Sequence, residues 1–169
     1  MRQAIAEFTH RAADILVKLA ALGLVSMTLI VGWQVFGRYV LNSSPSWSEQ
    51  AALTLMIWYV TLAAAAGVRE GFHIRIVALE NAVGEKPRRL LRAVSDLIVA
   101  ACGAAMLVWG GELVLRTWSH TIPSLGLPRG LAYAGVPISG ALIVVFALER
   151  LLEESHGDTV EDEEDPRWS

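Results

Sequence analysis

The sequence predicts an all-α membrane protein: four transmembrane helices, with a short cytoplasmic interfacial helix between the second and third. Three observations predict it. Of the 169 residues, 54% are hydrophobic and only 18% are charged, whereas a soluble domain carries about 25% charge and about 45–50% apolar residues. The apolar excess is gathered into long runs, each long enough to cross a hydrocarbon core about 30 Å thick, which takes about 20 residues. The basic residues are divided very unequally among the segments that join those runs.

The first run, Ile15–Phe36, has 22 residues. A cleavable signal peptide has a shorter core of about 7–15 residues, closed by a small-residue cleavage site. This run leads straight into Gly37-Arg38-Tyr39, so it is expected to be retained as a span. Its one charge, Lys18, lies near an end, from which a long side chain reaches the surface. The second run, Ala51–Val68, has no charge. The third, Leu90–Leu115, keeps Arg92 and Asp96 at one end and Glu112 at the other. The fourth, Leu131–Leu148, is uncharged and contains Pro137, which membrane helices tolerate when neighbours satisfy the freed carbonyl.

Between the second and third spans lies Ile74–Val83, apolar but too short to cross. A surface helix with Arg75, Glu80 and Asn81 in water fits it. Spans and connections together form one transmembrane domain, 1–152. From residue 153 onward the chain is acidic and poor in large apolar residues, the composition of a disordered cytoplasmic tail (153–169).

Orientation follows from lysine and arginine. The N-terminal segment, the middle loop and the C-terminal segment together hold eleven; the two short loops around 38–48 and 116–130 hold three, Arg38, Arg116 and Arg129. Both termini are therefore expected in the cytoplasm, and the short loops outside. Trp33, Tyr39, Trp47, Trp109, Trp118 and Tyr133 then fall at or near the outer interface, where such rings collect. They read as an anchoring belt or as a docking surface. Trp58 and Tyr59 fall deep in a span.

Three local patterns are structural at first reading. Ser46-Trp47-Ser48-Glu49 fits a capping box, with Ser46 as the cap and Glu49 reaching back; Glu49 serves equally as a partner contact. Arg92/Asp96 and Glu112/Arg116 are spaced to pair along one helix face. Ala63/Gly67, Ala100/Ala104 and Gly135/Ser139 place small residues four apart, which lets helices approach closely within the bundle or against a partner.

Chemistry is not written into the spans. No ionisable residue lies near the centre of any run, although proton relays and ion sites need one despite a cost of at least about 2.5–3.5 kcal/mol. His10, His73, His120 and His156 lie outside the runs, and the single cysteine, Cys102, sits in an apolar stretch as a packing residue. No metal spacing, phosphate loop or catalytic carboxylate pair is present, so neither an enzyme nor a cofactor is expected. A chain that builds a specific bundle without chemistry of its own works through partners.

On these residues the sequence resembles the small membrane subunit, DctQ type, of a tripartite ATP-independent periplasmic (TRAP) transporter. The resemblance is carried by Gly37-Arg38-Tyr39 with Pro45, Trp47 and Glu49; by Gly67 through Arg69, Gly71 and His73-Ile74-Arg75; and by Ser124-Leu125-Gly126-Leu127-Pro128 followed by a span with Pro137. It runs from about Ile15 to about Leu152. Gln50 departs from it, standing where a second acid is expected, and the acidic tail lies outside the pattern.

The resemblance implies a scaffold subunit in a bacterial inner membrane. Its partners would be the lipid bilayer, a large multi-span subunit that carries substrate and sodium, and a periplasmic substrate-binding protein that captures an organic acid. No nucleic acid is involved. The partner-interface candidates are Arg38, Tyr39, Trp47, Glu49, Arg69, His73, Arg116, Pro128 and Arg129. Two other readings remain at this point: an unrelated four-helix membrane adaptor or assembly factor, and a small autonomous channel or exporter, which the missing central charges disfavour.

Overall fold

The structure is a computed structural model that describes residues 2–43, 45–70 and 85–155. Helix α1 runs Arg2–Tyr39, α2 runs Ser48–Glu70 and α3 runs Glu85–Thr117. A two-stranded hairpin follows, β1 (Thr121–Ile122) and β2 (Leu127–Pro128), then a short helix α4 (Arg129–Tyr133) and finally α5 (Gly135–Ser155). Four segments are long and apolar enough to cross a membrane: Arg11–Tyr39, Ser48–Arg69, Leu91–Thr117 and Arg129–Leu151. α1, α2 and α3 outrun their apolar stretches at both ends and α5 does so at its C-terminal end, because hydropathy marks only the part that meets hydrocarbon while the backbone hydrogen bonds continue into the polar flanks. Residues 74–83, expected as a surface helix, His73 and the tail beyond 155 lie outside the described residues.

The spans stand in a row. α1 packs on α2, α2 on α5, and α5 on α3, so α1 and α3 form the two margins. Burial follows this order: 39% of the last span's apolar window is buried, against 11% in α1 and in α3. Leu16, Leu62, Ala65, Ala66, Val68, Ile143, Phe146 and Ala147 make the core. All lie toward the end that carries the chain termini.

Farther along, the helices meet through glycine. A Cβ on Gly140 would stand 2.7 Å from both the Gly103 carbonyl oxygen and the Leu107 nitrogen. Burying apolar surface drives little association inside a bilayer, where lipid is as apolar as leucine, so close backbone approach has to supply the attraction. The expected four-residue pairs do not mark these contacts. Ala63 and Ala104 are exposed, and nothing approaches the Cβ position of Gly67. Gly135, by contrast, does sit against Thr61 and Trp58.

Two turns complete the frame. After α1 the chain doubles back: Asn42 takes φ 51°, and the Ser43 nitrogen donates to the Gly37 carbonyl at 2.9 Å. Asparagine tolerates this left-handed backbone better than most residues. A Cβ on Gly37 would stand 2.7 Å from the Ser43 carbonyl oxygen, so the reversal needs glycine there. α2 then begins at Ser48 rather than at Ser46. The buried Ser48 hydroxyl donates to the Pro45 carbonyl at 2.8 Å, while Ser46 and Glu49 are exposed and form no capping box.

The second difference concerns Pro137. It is not in a helix interior, because the fourth span breaks at Ala134 and Pro137 falls in the first turn of α5. In a first turn the missing N–H has no partner to lose. The break leaves the Leu131 carbonyl open to a second donor, and the Trp58 indole nitrogen donates to it at 3.2 Å.

Candidate functional site

The named residues collect at the two ends of the row. At the hairpin end, β1 and β2 pair antiparallel, Thr121 with Pro128 and Ile122 with Leu127. Gly126 takes φ 67° at the tip, and the Gly126 nitrogen donates to the Ile122 carbonyl at 2.8 Å. The Arg129 nitrogen donates to the His120 carbonyl at 2.7 Å and closes the ladder into α4. Gly130 fits under Trp118, whose Cε3 would be 2.7 Å from an added Cβ. The segment Ser124-Leu125-Gly126-Leu127-Pro128, read from sequence as a loop, is therefore the tip and return strand of a hairpin held against the end of α3.

Arg116 pairs with Glu112 at 2.5 Å, the predicted contact one turn along the same helix. Both side chains are at least half exposed, so the pair contributes at most about 1 kcal/mol. Arg38, Tyr39 and Trp47 are exposed beside the first turn. Arg38 and Glu49 form no ion pair with each other. Pro128 is half-buried in β2 and Arg129 is exposed. Arg129 borders a cleft of about 270 Å³ between α2 and the hairpin–α4 segment. Leu53, Met56, Ile57 and Ala132 form its apolar lining, with Ile122 from the hairpin; Gln50, Thr54 and Tyr133 join Arg129 as its polar members.

The opposite end holds a charge network that sequence reasoning saw only in part. Arg69, at the end of α2, has Nε 3.6 Å from Glu149 Oε2 on α5. Thr9 of α1 donates its hydroxyl to Glu149 Oε1 at 2.9 Å and accepts from Arg69 Nε at 3.3 Å. The next residue, Arg150, turns the other way: Nη2 lies 3.6 Å from Asp96 Oδ1 on α3, and Nη1 donates to the Val68 carbonyl at 2.8 Å. That carbonyl belongs to the last turn of α2, where the helix supplies no donor of its own, and Val68 is buried. The four charged side chains are between 6% and 18% exposed.

All four spans thus meet in one network. Among the described residues, Arg69 is the only candidate in it. Sequence spacing pairs Asp96 with Arg92 and points to none of Thr9, Glu149 and Arg150 for this role. The signal available was that Arg69, Glu149 and Arg150 stand within a turn of a span's end and Asp96 less than two turns inside one, but sequence cannot say which helices are neighbours. Among the described residues no group of three or more His, Cys, Asp or Glu could hold a metal ion.

Comparison with known proteins fits this architecture. The DctQ component family of tripartite ATP-independent periplasmic transporters matches residues 27–157. A TRAP transporter small permease protein of Haemophilus influenzae is 27% identical over 154 residues, covering 90% of this chain and 92% of that protein. The C4-dicarboxylate TRAP transporter small permease protein DctQ of Rhodobacter capsulatus is 29% identical over 120 residues, 66% of this chain and 53% of that one. The isethionate TRAP transporter permease protein DctMQ of Oleidesulfovibrio alaskensis is 23% identical over 137 residues, 76% of this chain but only 22% of that protein.

Proposed function

Because the chain belongs to the DctQ component family of tripartite ATP-independent periplasmic transporters, we propose that it is the scaffold subunit of a sodium-coupled importer of an organic acid. Membership makes it a transport protein rather than an enzyme, and sets aside an unrelated adaptor. The observation that carries the scaffold reading is the row itself. The margins α1 and α3 leave most of their apolar surface unburied, and polar side chains of all four spans, the Thr9 hydroxyl and the charges of α2, α3 and α5, are tied together at one end. A frame of that kind is stiff, broad and apolar, and suits a second, larger membrane subunit as its partner. The match of this chain to 22% of a longer permease protein supports such a partner.

In this reading the bacterial inner membrane holds the row with both termini in the cytoplasm, as the eleven-to-three division of basic residues favours. The hairpin and the α1–α2 turn then face the periplasm, where a soluble substrate-binding protein would approach. Modest, polar contacts suit transient docking of that kind. Substrate and sodium pass through the large subunit.

Reconstitution tests the proposal. Proteoliposomes holding this chain with the large multi-span subunit should take up an organic acid only with sodium and the binding protein. Proteoliposomes holding this chain alone should take up neither. Uptake by the single chain, or undiminished uptake by the large subunit without it, would overturn the scaffold role.

A further inference from the structure

The cleft beside Arg129 has a composition that neither a bundle interior nor a water-facing groove requires. We propose that it is a phospholipid site, in which Arg129 holds the phosphate and the apolar lining receives the upper part of an acyl chain. Three observations point there.

The first is charge. Among the described residues no carboxylate lies within ion-pairing distance of Arg129, in contrast to Arg69, Arg116 and Arg150, each of which has an acid. Tyr133 stands four residues on, on the same face as Arg129, and lines the same cleft. A planar cation suits a phosphate.

The second is the lining. Leu53 and Met56 belong to the cleft, and with Val60 they form an exposed stripe on α2 spaced three and seven residues from Leu53, 45%, 39% and 48% exposed in turn. The stripe leads from the cleft toward the middle of the span, a rise of about 10 Å at about 1.5 Å per residue. A free anion or a carboxylate of a soluble protein would use the cation alone. Only a ligand with an apolar chain running into the membrane would also cover the stripe.

The third is depth. Arg129 begins the fourth span, and Gln50 lies in the first turn of the second. Arg129 and Gln50 therefore stand at a membrane boundary, where lipid phosphates lie, and Met56 and Ile57 stand about two turns deeper along α2. The assignment concerns depth and holds for either orientation of the chain.

Native mass spectrometry of the full chain in detergent, titrated with 1-palmitoyl-2-oleoyl-phosphatidylglycerol, tests it. The wild-type chain should retain one lipid. R129Q should need about ten times more lipid for the same occupancy, the loss expected for one charge-assisted contact. R129K, which keeps the charge, should lie between the two. M56W, which fills the lining but leaves the cation, should weaken retention as well, whereas R38Q should bind as wild type does. Glycerol 1-phosphate should not displace the lipid.

Equal losses in R129Q and R38Q would show general attraction to basic surface and overturn the site. Unchanged retention in M56W, or full displacement by glycerol 1-phosphate, would reduce it to an anion contact and overturn the lipid assignment. So would an R129Q chain that retains lipid normally but weakens capture of the binding protein by the assembled membrane complex, since the cation would then serve a protein. Circular dichroism and gel filtration of each variant separate these outcomes from misfolding.

Discussion

Glu149 and Arg150 are adjacent on α5 and hold opposite sides of the molecule. Glu149 accepts from Thr9 of α1 at 2.9 Å and faces Arg69 of α2, while Arg150 faces Asp96 of α3 at 3.6 Å and donates to the last turn of α2. One dipeptide therefore fixes the positions of three other helices. Successive residues on a helix point about 100° apart, which is what allows it.

Removing one member of a buried pair leaves the other charge uncompensated, a loss of about 3–5 kcal/mol. R150M is therefore expected to lower the thermal midpoint of the purified chain markedly, followed by gel filtration after heating. D96N, which keeps the shape, should be milder. The exchange D96R/R150D should fail to restore stability, because the Val68 carbonyl would face a carboxylate instead of a donor. Full recovery in the exchange would show that the carbonyl contact is immaterial.

The α3–α5 seam should be equally selective. An added methyl at Gly140 meets two backbone atoms at 2.7 Å, and backbone cannot swing aside. G140A should push the helices apart and destabilise the chain. At Gly111 nothing lies within 4 Å of the same position, and alanine is the better helix former by about 1 kcal/mol. G111A is expected to leave the thermal midpoint unchanged or raise it. Comparable losses at both positions would remove the seam as an explanation.

Trp58 reports on the break in the fourth span. W58F removes the donor to Leu131 and should cost about 0.5–1.5 kcal/mol. Hydrogen exchange of the amides of residues 131–138 should speed up in this variant, with exchange near Gly103 unaffected. An unchanged pattern would mean that the indole only fills space.

Topology can be read by thiol labelling in a Cys102→Ala background. A cysteine at Ser43 is expected to react with an impermeant reagent added to intact spheroplasts, and a cysteine at Lys86 to react only after lysis. The reverse pattern would invert the orientation proposed above, and with it the side from which a binding protein approaches.

Arg69 shows how much of the site was legible. Its place at the end of an apolar run marks it as an interfacial charge, and the resemblance singles it out. Its partners were not legible, because Thr9 and Glu149 stand 60 and 80 residues away along the chain and nothing local ties them to it. Glu112 and Arg116 were legible because their contact lies within one helix and needs no tertiary information. Asp96 had an equally good local partner in Arg92 by spacing, and only the packing of α5 on α3 brought Arg150 to it.

The sequence by itself determined that there are four spans, where they lie and that they carry no central charge. A membrane imposes those features on each helix separately, through length and hydropathy. It also determined the family, through short motifs whose order survives in the chain. The tertiary structure decided the order of helices in the row, the glycine contacts that hold α3 to α5, the hairpin before the fourth span and the choice of ion pairs. These depend on which helix faces which. Inside a bilayer no apolar stripe announces that choice, because the face toward a neighbouring helix and the face toward lipid are apolar alike.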